Sequence, residues 1–241
     1  MTAPFLSLQG LTKRFGGLVA VNDVSLDLSQ GDLVSIIGPN GAGKTTLFNL
    51  VTGQFLPTAG RIMLNGEDIT GETPQNRARL GFGRTFQISK TLTALTALEN
   101  VLIGAFLHRR GLVEAARRAH EVLEMVGLSA RAKVKAGTLT LSERRRLEIA
   151  RALALDAKIV LLDEVMAGVN QTEVDEVIHL VKRLHAEGLT FLVIEHNLKV
   201  VRAFQSRVVV LDFGRKIADG TPDEVLSDPR VVEAYLGRKR A

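Results

Sequence analysis

Gly38-Pro39-Asn40-Gly41-Ala42-Gly43-Lys44-Thr45 reads G-x-x-x-x-G-K-T. The apolar, β-branched run Leu33-Val34-Ser35-Ile36-Ile37 leads into it, and the helix-forming run Thr46-Leu47-Phe48-Asn49-Leu50 leads out. Strand, glycine-rich turn and helix in that order are the setting a phosphate-binding loop needs. Glycine's tolerance of positive φ lets successive backbone N–H groups converge on one concavity, and the helix N-terminus adds its dipole. Gly38, Pro39, Asn40, Gly41, Ala42, Gly43, Lys44, Thr45 and Thr46 are therefore the candidate phosphate cradle. Lys44 brings a point charge to the β- and γ-phosphates, and Thr45 places a hydroxyl on Mg²⁺. The bland alternative is a glycine-rich turn that happens to precede Lys-Thr, and the flanking strand and helix argue against it. The chain is expected to bind a nucleoside triphosphate.

The 241 residues suit one α/β domain with a small subdomain. At 46% hydrophobic and 24% charged, the chain can bury a real core. It has no Cys, so no disulfide framework exists. Met1-Thr2-Ala3-Pro4-Phe5 lacks the basic start and apolar stretch of a secretory signal. No apolar run approaches the ~18 residues that span a bilayer, so a soluble or peripheral protein is expected. The net charge of +5 admits an anionic partner without identifying one.

Residues 5–30 alternate apolar and polar, as in Val24-Ser25-Leu26-Asp27-Leu28, which favours half-buried strands with a turn at Phe15-Gly16-Gly17. Arg61-Ile62-Met63-Leu64 reads as a strand, and Asn65-Gly66 as a hairpin turn. From Thr93 the texture becomes helical. Residues 112–126 carry Val113, Ala116, Ala119, Val122 and Leu123 at helical spacing. Arg109, Arg110, Arg117, Arg118, Arg131, Lys133 and Lys135 line this part, as a solvated basic face or a docking surface. Ser142 is placed to cap a helix over 144–155. Residues 173–187 form an amphipathic helix, and 222–236 a final helix. The other four histidines fall in expected helices.

Lys158-Ile159-Val160-Leu161-Leu162-Asp163-Glu164 is a buried strand ending in two acids. Asp163 can hold the Mg²⁺ of a bound nucleotide, and Glu164 can orient and polarise the attacking water. A solvated turn is the alternative for two acids at a strand end. Gln87 can ligate Mg²⁺ or position water. His196, after the strand 190–194, can contact the γ-phosphate. Phe15 can stack on a base or serve as an aromatic core residue.

Together these motifs resemble the ATP-binding subunit of an ABC transporter over nearly the whole chain. Residues 38–45 look like the Walker A loop, Gln87 matches the Q-loop, and Leu161-Leu162-Asp163-Glu164 the Walker B strand with its catalytic Glu. His196 matches the switch histidine, and Phe15 falls where the family stacks an aromatic ring on adenine. Arg146-Leu147-Glu148-Ile149-Ala150-Arg151-Ala152-Leu153 matches the helix after the signature motif. Ala167-Gly168-Val169-Asn170, Val193-Ile194-Glu195-His196-Asn197-Leu198-Lys199 and Gly220-Thr221-Pro222-Asp223-Glu224-Val225 with Ala234-Tyr235-Leu236-Gly237 are similar to the ATPase subunits of branched-chain amino-acid importers. Three departures stand out. The family's Leu-Ser-Gly-Gly-Gln falls on Leu139-Thr140-Leu141-Ser142-Glu143, Val165 replaces the usual Pro, and Asn170 the usual Asp.

The resemblance implies an α/β P-loop NTPase core with a mostly parallel sheet, a flanking antiparallel β subdomain and a helical subdomain. The core would take about 1–90 and 156–241, the helical part about 91–155. It implies an ATPase with ATP and Mg²⁺ as cofactors, with Glu164, His196 and Gln87 catalytic and with Thr45, Gln87 and Asp163 at the metal. It also implies a head-to-tail ATPase dimer, homo- or heterodimeric, under transmembrane permease subunits, fed indirectly by a solute-binding protein. The expected location is the cytoplasmic face of the cell membrane. Glu143 puts a carboxylate where the signature meets a phosphate, which favours a heterodimer. A soluble ATPase acting on nucleic acid or ribosomes and a non-hydrolysing regulator are the rival readings. The first usually has two ATPase domains or a long arm, so no nucleic acid is expected. Intact Asp163, Glu164 and His196 argue against the second.

Overall fold

The structure, a computed structural model, describes residues 4–85, 91–166, 168 and 170–236. In chain order its elements are β1 (Leu6–Phe15), β2 (Leu18–Leu28), β3 (Leu33–Ile37), α1 (Lys44–Val51), β4 (Ala59–Leu64), β5 (Glu67–Asp68), α2 (Pro74–Arg79) and β6 (Phe82–Arg84). Then come α3 (Ala97–Ala105), α4 (Leu112–Met125), α5 (Leu141–Leu153), β7 (Ile159–Asp163), α6 (Gln171–Ala186), β8 (Thr190–Ile194), α7 (Leu198–Phe204), β9 (Arg207–Asp212), β10 (Arg215–Gly220), α8 (Pro222–Ser227) and α9 (Pro229–Leu236). The fold class is α/β, as expected. Two compact units divide the chain, one running to Arg77 and resuming at Thr190, the other spanning Ala78–Leu189.

The first unit holds an antiparallel sheet in the order β2-β1-β4-β5. Asn65 and Gly66 turn β4 into β5 with φ of 50° and 83°, the left-handed pair that an Asn-Gly hairpin supplies. The same unit holds a parallel sheet in which β3 lies between β8 and β9, with β10 antiparallel on β9. Every residue of β3 and β8 is buried, which is why these runs show no polar alternation. Ser35, the polar member of β3, is satisfied by the Ser206 hydroxyl at 2.8 Å. Ile37, Val201, Val208, Val210, Val225 and Val231 form one cluster that packs the C-terminal helices onto this sheet. The single helix expected over 222–236 is two. Asp228 is extended, at φ −66° and ψ 122°, because Pro229 disfavours helical backbone in the residue before it.

Arg77, on α2, is completely buried. Its Nη1 donates to Leu50 O and Val51 O at 2.6 Å each, and its Nη2 to Ile69 O at 2.9 Å and Thr70 O at 3.0 Å. Leu50 and Val51 end α1, so the guanidinium caps carbonyls that have no acceptor role left within the helix, at the end its dipole makes negative. Burial pushes the Arg77 pKa down to about 10. Arg77→Ala would take the buried donor from Val51 O and Thr70 O and leave a cavity, while Leu50 O keeps the Gly53 amide and Ile69 O the Glu72 amide. It should cost about 3–4 kcal/mol, read as a lowered urea midpoint. A change within experimental error would show that the cap is dispensable.

In the second unit β6 runs parallel to β7, with Phe82 opposite Ile159 and Arg84 opposite Leu161. α4 buries Ala115, Ala119, Val122 and Leu123. The expected stripe included Val113 and Ala116, but Val113 is 83% exposed. The spacing i, i+4, i+7, i+8 from Ala115 gives the wider apolar face. α5 starts earlier than expected. Thr140, not Ser142, caps it, because Thr140 and Glu143 form a capping box and Ser142 has Arg145 in the reciprocal position. Asn170 and Glu173 cap α6 in the same way. Of the remaining histidines, His108 lies in the turn after α3 rather than in a helix. The basic side chains are largely paired: Arg109 to both oxygens of Asp156, Arg118 to Asp156 and Arg117 to Glu121.

Candidate nucleotide site

β3 ends at Ile37 and α1 begins at Lys44, so residues 38–43 form the loop between a buried parallel strand and a helix N-terminus. Two of its glycines are required by packing. A Cβ on Gly38 would lie 2.1 Å from Leu211 O, and one on Gly43 2.3 Å from Ala20 O. Gly43 is also left-handed, at φ 99°, and gives α1 no side-chain cap. The first-turn amides of α1 have no acceptor within the helix, which is the condition for binding an anion there. The turn between β9 and β10 braces the loop, with Gly214 N donating to Ala42 O at 3.0 Å. Lys44 is only 7% exposed and donates to Gly38 O at 2.7 Å and Pro39 O at 3.0 Å. Its ammonium is thus held across the mouth of its own loop. Thr45 is exposed and Thr46 half-buried.

His196 leaves the carboxyl end of β8, next in the sheet to the carboxyl end of β3, where the loop starts. Ligands of open α/β sheets bind at such strand ends. Phe15 ends β1 and is 42% exposed. Its ring meets Phe55 edge-on, with centroids 5.3 Å apart, and Lys13 Nζ lies 5.1 Å from its centroid. Sequence reasoning missed Tyr235, on α9, whose hydroxyl interacts with the backbone of Gly38. Burial raises its pKa, and the interaction with Gly38 offsets part of that rise. No local pattern marks this contact, since 197 positions separate the two residues.

In the second unit Asp163 ends β7 and is 2% exposed. Arg84 Nη2 donates to Asp163 Oδ2 at 3.0 Å, and Asp163 N donates to Thr85 Oγ1 at 3.2 Å. Glu164 follows with φ 51°, a left-handed conformation unusual for a residue with a side chain. Gln87 lies outside the described residues. Among the described residues there is no cluster of three or more His, Cys, Asp or Glu.

The altered signature segment has a structural role of its own. Glu143 accepts from Thr140 N at 2.9 Å and from Arg131 Nε at 2.7 Å. Burial pushes its pKa up, but the Thr140 amide and Arg131 outweigh that and hold the carboxyl below its usual range. Ser142 is buried, and its hydroxyl donates to Glu176 at 3.3 Å. The charge expected to oppose a phosphate is therefore matched by Arg131, and one amide at the start of α5 is bonded to the helix's own carboxylate.

The loop after β3 offers backbone amides and an ammonium to an anion, and the end of β7 offers two carboxyl groups. Comparison with known proteins identifies the family. A family model described as ABC transporter matches residues 21–167, and one described as branched-chain amino acid ATP-binding cassette transporter matches 215–241. The chain is 43% identical to the high-affinity branched-chain amino acid transport ATP-binding protein BraF of Pseudomonas aeruginosa, over 98% of this chain and 99% of that one. It is 41% identical to the corresponding LivG of Escherichia coli K12, with the same coverage. Among solved structures, the ADP conformation of MJ1267, an ATP-binding cassette of an ABC transporter, superposes with a TM-score of 0.89 at 34% identity, covering 98% of this chain and 100% of that one. The dimeric structure of MJ0796, a bacterial ABC transporter cassette, superposes at 0.80 and 29% identity, over 90% of this chain and 98% of that one.

Proposed function

This chain belongs to the ABC transporter family of ATP-binding proteins, and on that premise we propose that it hydrolyses MgATP to drive uptake of branched-chain or related amino acids through membrane permease subunits. The observation that carries this reading is the match to branched-chain amino acid transport ATP-binding proteins over 98% of the chain. Gly38, Pro39, Asn40, Gly41, Ala42, Gly43, Lys44, Thr45 and Thr46 cradle the phosphates, and Phe15 stacks on the adenine. Thr45, Asp163 and Gln87 serve Mg²⁺, which when bound neutralises charge on the β- and γ-phosphates. Glu164 takes the proton of the attacking water, and His196 donates to the γ-phosphate. The core of about 1–90 and 156–241 does this chemistry, and the helical part of about 91–155 meets the permease.

No described helix is long and apolar enough to cross a membrane. In the proposed assembly the membrane-spanning path belongs to partner chains, and this chain sits at the cytoplasmic face of the membrane. A groove of about 480 Å³ in the second unit supports a docking place. It is lined by Arg84, Asn100, Ile103, Phe106, Glu148 and Arg151, and Ile103 and Phe106 are about half exposed. Glu148 is 4% exposed, and its Oε1 has no hydrogen-bond partner among the described residues. An apolar helix turn bearing one donor would satisfy this groove. A second ATPase subunit, supplying the signature that this chain has altered, completes the catalytic dimer.

The experiment is reconstitution in proteoliposomes of this chain with its permease and second ATPase subunits and a solute-binding protein. ATP-dependent accumulation of labelled leucine is the expected result. ATP turnover indifferent to the permease, with no accumulation of any branched-chain amino acid, would overturn the reading.

A further inference from the structure

Neither the phosphate loop nor the hydrolytic acid explains why a guanidinium is buried against Asp163. We propose that Arg84 is a positioning residue that fixes the Asp163 carboxylate for the nucleotide's Mg²⁺. This rests on the reading of Asp163 as the carboxylate that serves the metal. The parallel pairing of β6 with β7 brings the carboxyl ends of the two strands together, with Thr85 N donating to Leu161 O at 2.9 Å. Arg84, which ends β6, and Thr85, which follows it, then grip the one residue that ends β7. Thr85 Oγ1 accepts the Asp163 amide at 3.2 Å, and Arg84 Nη2 donates to Oδ2 at 3.0 Å. Backbone and side chain of Asp163 are thus both bonded from the segment 84–85.

Depth makes the pair consequential. The Arg84 and Asp163 side chains are 11% and 4% exposed, so water does little to screen them. Removing the cation would take from a buried carboxylate the opposite charge that sets its Oδ2. Carboxylates that ligate metals are held by partners of this kind, and losing such a partner lowers metal affinity about 10–100-fold. A plain staple between β6 and β7 would need no charge at this position, and the strand pair β3–β8 carries no charged residue, its polar members Ser35 and Thr190 being bonded to a hydroxyl and a backbone amide. Three positions beyond Arg84 in the sequence lies Gln87, another side chain assigned to the metal.

The test is calorimetric titration of the full chain with ATP, once with excess Mg²⁺ and once with EDTA, taking the ratio of the two affinities. Arg84→Met should keep its EDTA affinity within about twofold of the native chain and lose about 10–100-fold of the Mg²⁺-dependent gain. Arg84→Lys, which keeps a cation, should recover part of the loss. Affinity in EDTA reports whether the variant is folded. If Arg84→Met does not fold, Arg84→Gln, which keeps an N–H donor without the charge, carries the same comparison. An undiminished Mg²⁺ gain in the Met or Gln variant overturns the inference. Asp163→Asn, measured alongside, separates the two readings. If it too keeps the gain, the metal role of Asp163 fails; if it loses the gain while Arg84→Met does not, only the role of Arg84 fails.

Discussion

Glu164→Gln is expected to lower steady-state ATP turnover of the assembled complex about 10²–10⁴-fold while leaving MgATP affinity near its native value. The chain reaches Glu164 straight from the buried strand β7 and turns there into a left-handed conformation at φ 51°. A residue with a side chain holds that backbone only where its surroundings impose it, and such outliers gather at functional sites. Gln keeps the volume and the backbone preference of Glu, so the turn survives and only the capacity to accept a proton is lost. Asp163, one residue earlier, bonds Arg84 and Thr85, and the proposal gives it the metal and Glu164 the water. The effect should also be unequal across the dimer. This chain's signature segment carries Leu141, Ser142 and Glu143, and Glu143 already takes the Thr140 amide. The nucleotide served by that segment would turn over slowly, and the one served by Glu164 fast. Hydrolysis assays on the reconstituted pair decide this. Glu164→Gln here should remove most activity and the matching change in the second ATPase subunit much less. Normal turnover in the first variant would refute the role of Glu164, and equal losses would refute the asymmetry.

The residues legible in the sequence are those whose chemistry is encoded locally. Strand, glycine turn and helix around Lys44 lie within some twenty consecutive positions, and the acids Asp163 and Glu164 directly follow the apolar run they terminate. The misread boundaries also have local causes. Ser142 is a good cap by residue type, but a cap is selected together with its partner three positions on, and Thr140 has Glu143. The final helix breaks because Pro229 acts on Asp228, a restriction that outweighs the continuous amphipathic pattern. What could not be read were polar contacts closed by the tertiary fold. Arg77 serves carbonyls 26 and 27 positions earlier, Arg84 meets an acid 79 positions later, and Arg131 neutralises Glu143 across a helix start. In the sequence each of these arginines is one more basic residue among many. Only the pairing of elements shows that two of them bury their charge.

Lys44→Ala should abolish saturable ATP binding in the micromolar range. Charge-assisted hydrogen bonds are worth about 1.5–3 kcal/mol each, so a lysine serving two phosphates supports about 10²–10⁴-fold in affinity at about 1.4 kcal/mol per decade. The fold adds a second loss. Lys44 Nζ bonds Gly38 O and Pro39 O, tying the first residue of α1 to the start of the loop, and Ala leaves both carbonyls without that donor. Lys44→Arg retains the charge, yet the site buries Lys44 to 7% exposure and the wider guanidinium does not fit the same pair of carbonyls. It should therefore rescue little. Calorimetry with ATP and AMP separates phosphate recognition from a general loosening of the loop. AMP has neither β- nor γ-phosphate, so its weak affinity should barely change while that of ATP collapses. Unchanged ATP affinity would remove the loop from the nucleotide site. Equal proportional losses for ATP and AMP would instead make Lys44 a brace for the loop, with no specific hold on the outer phosphates.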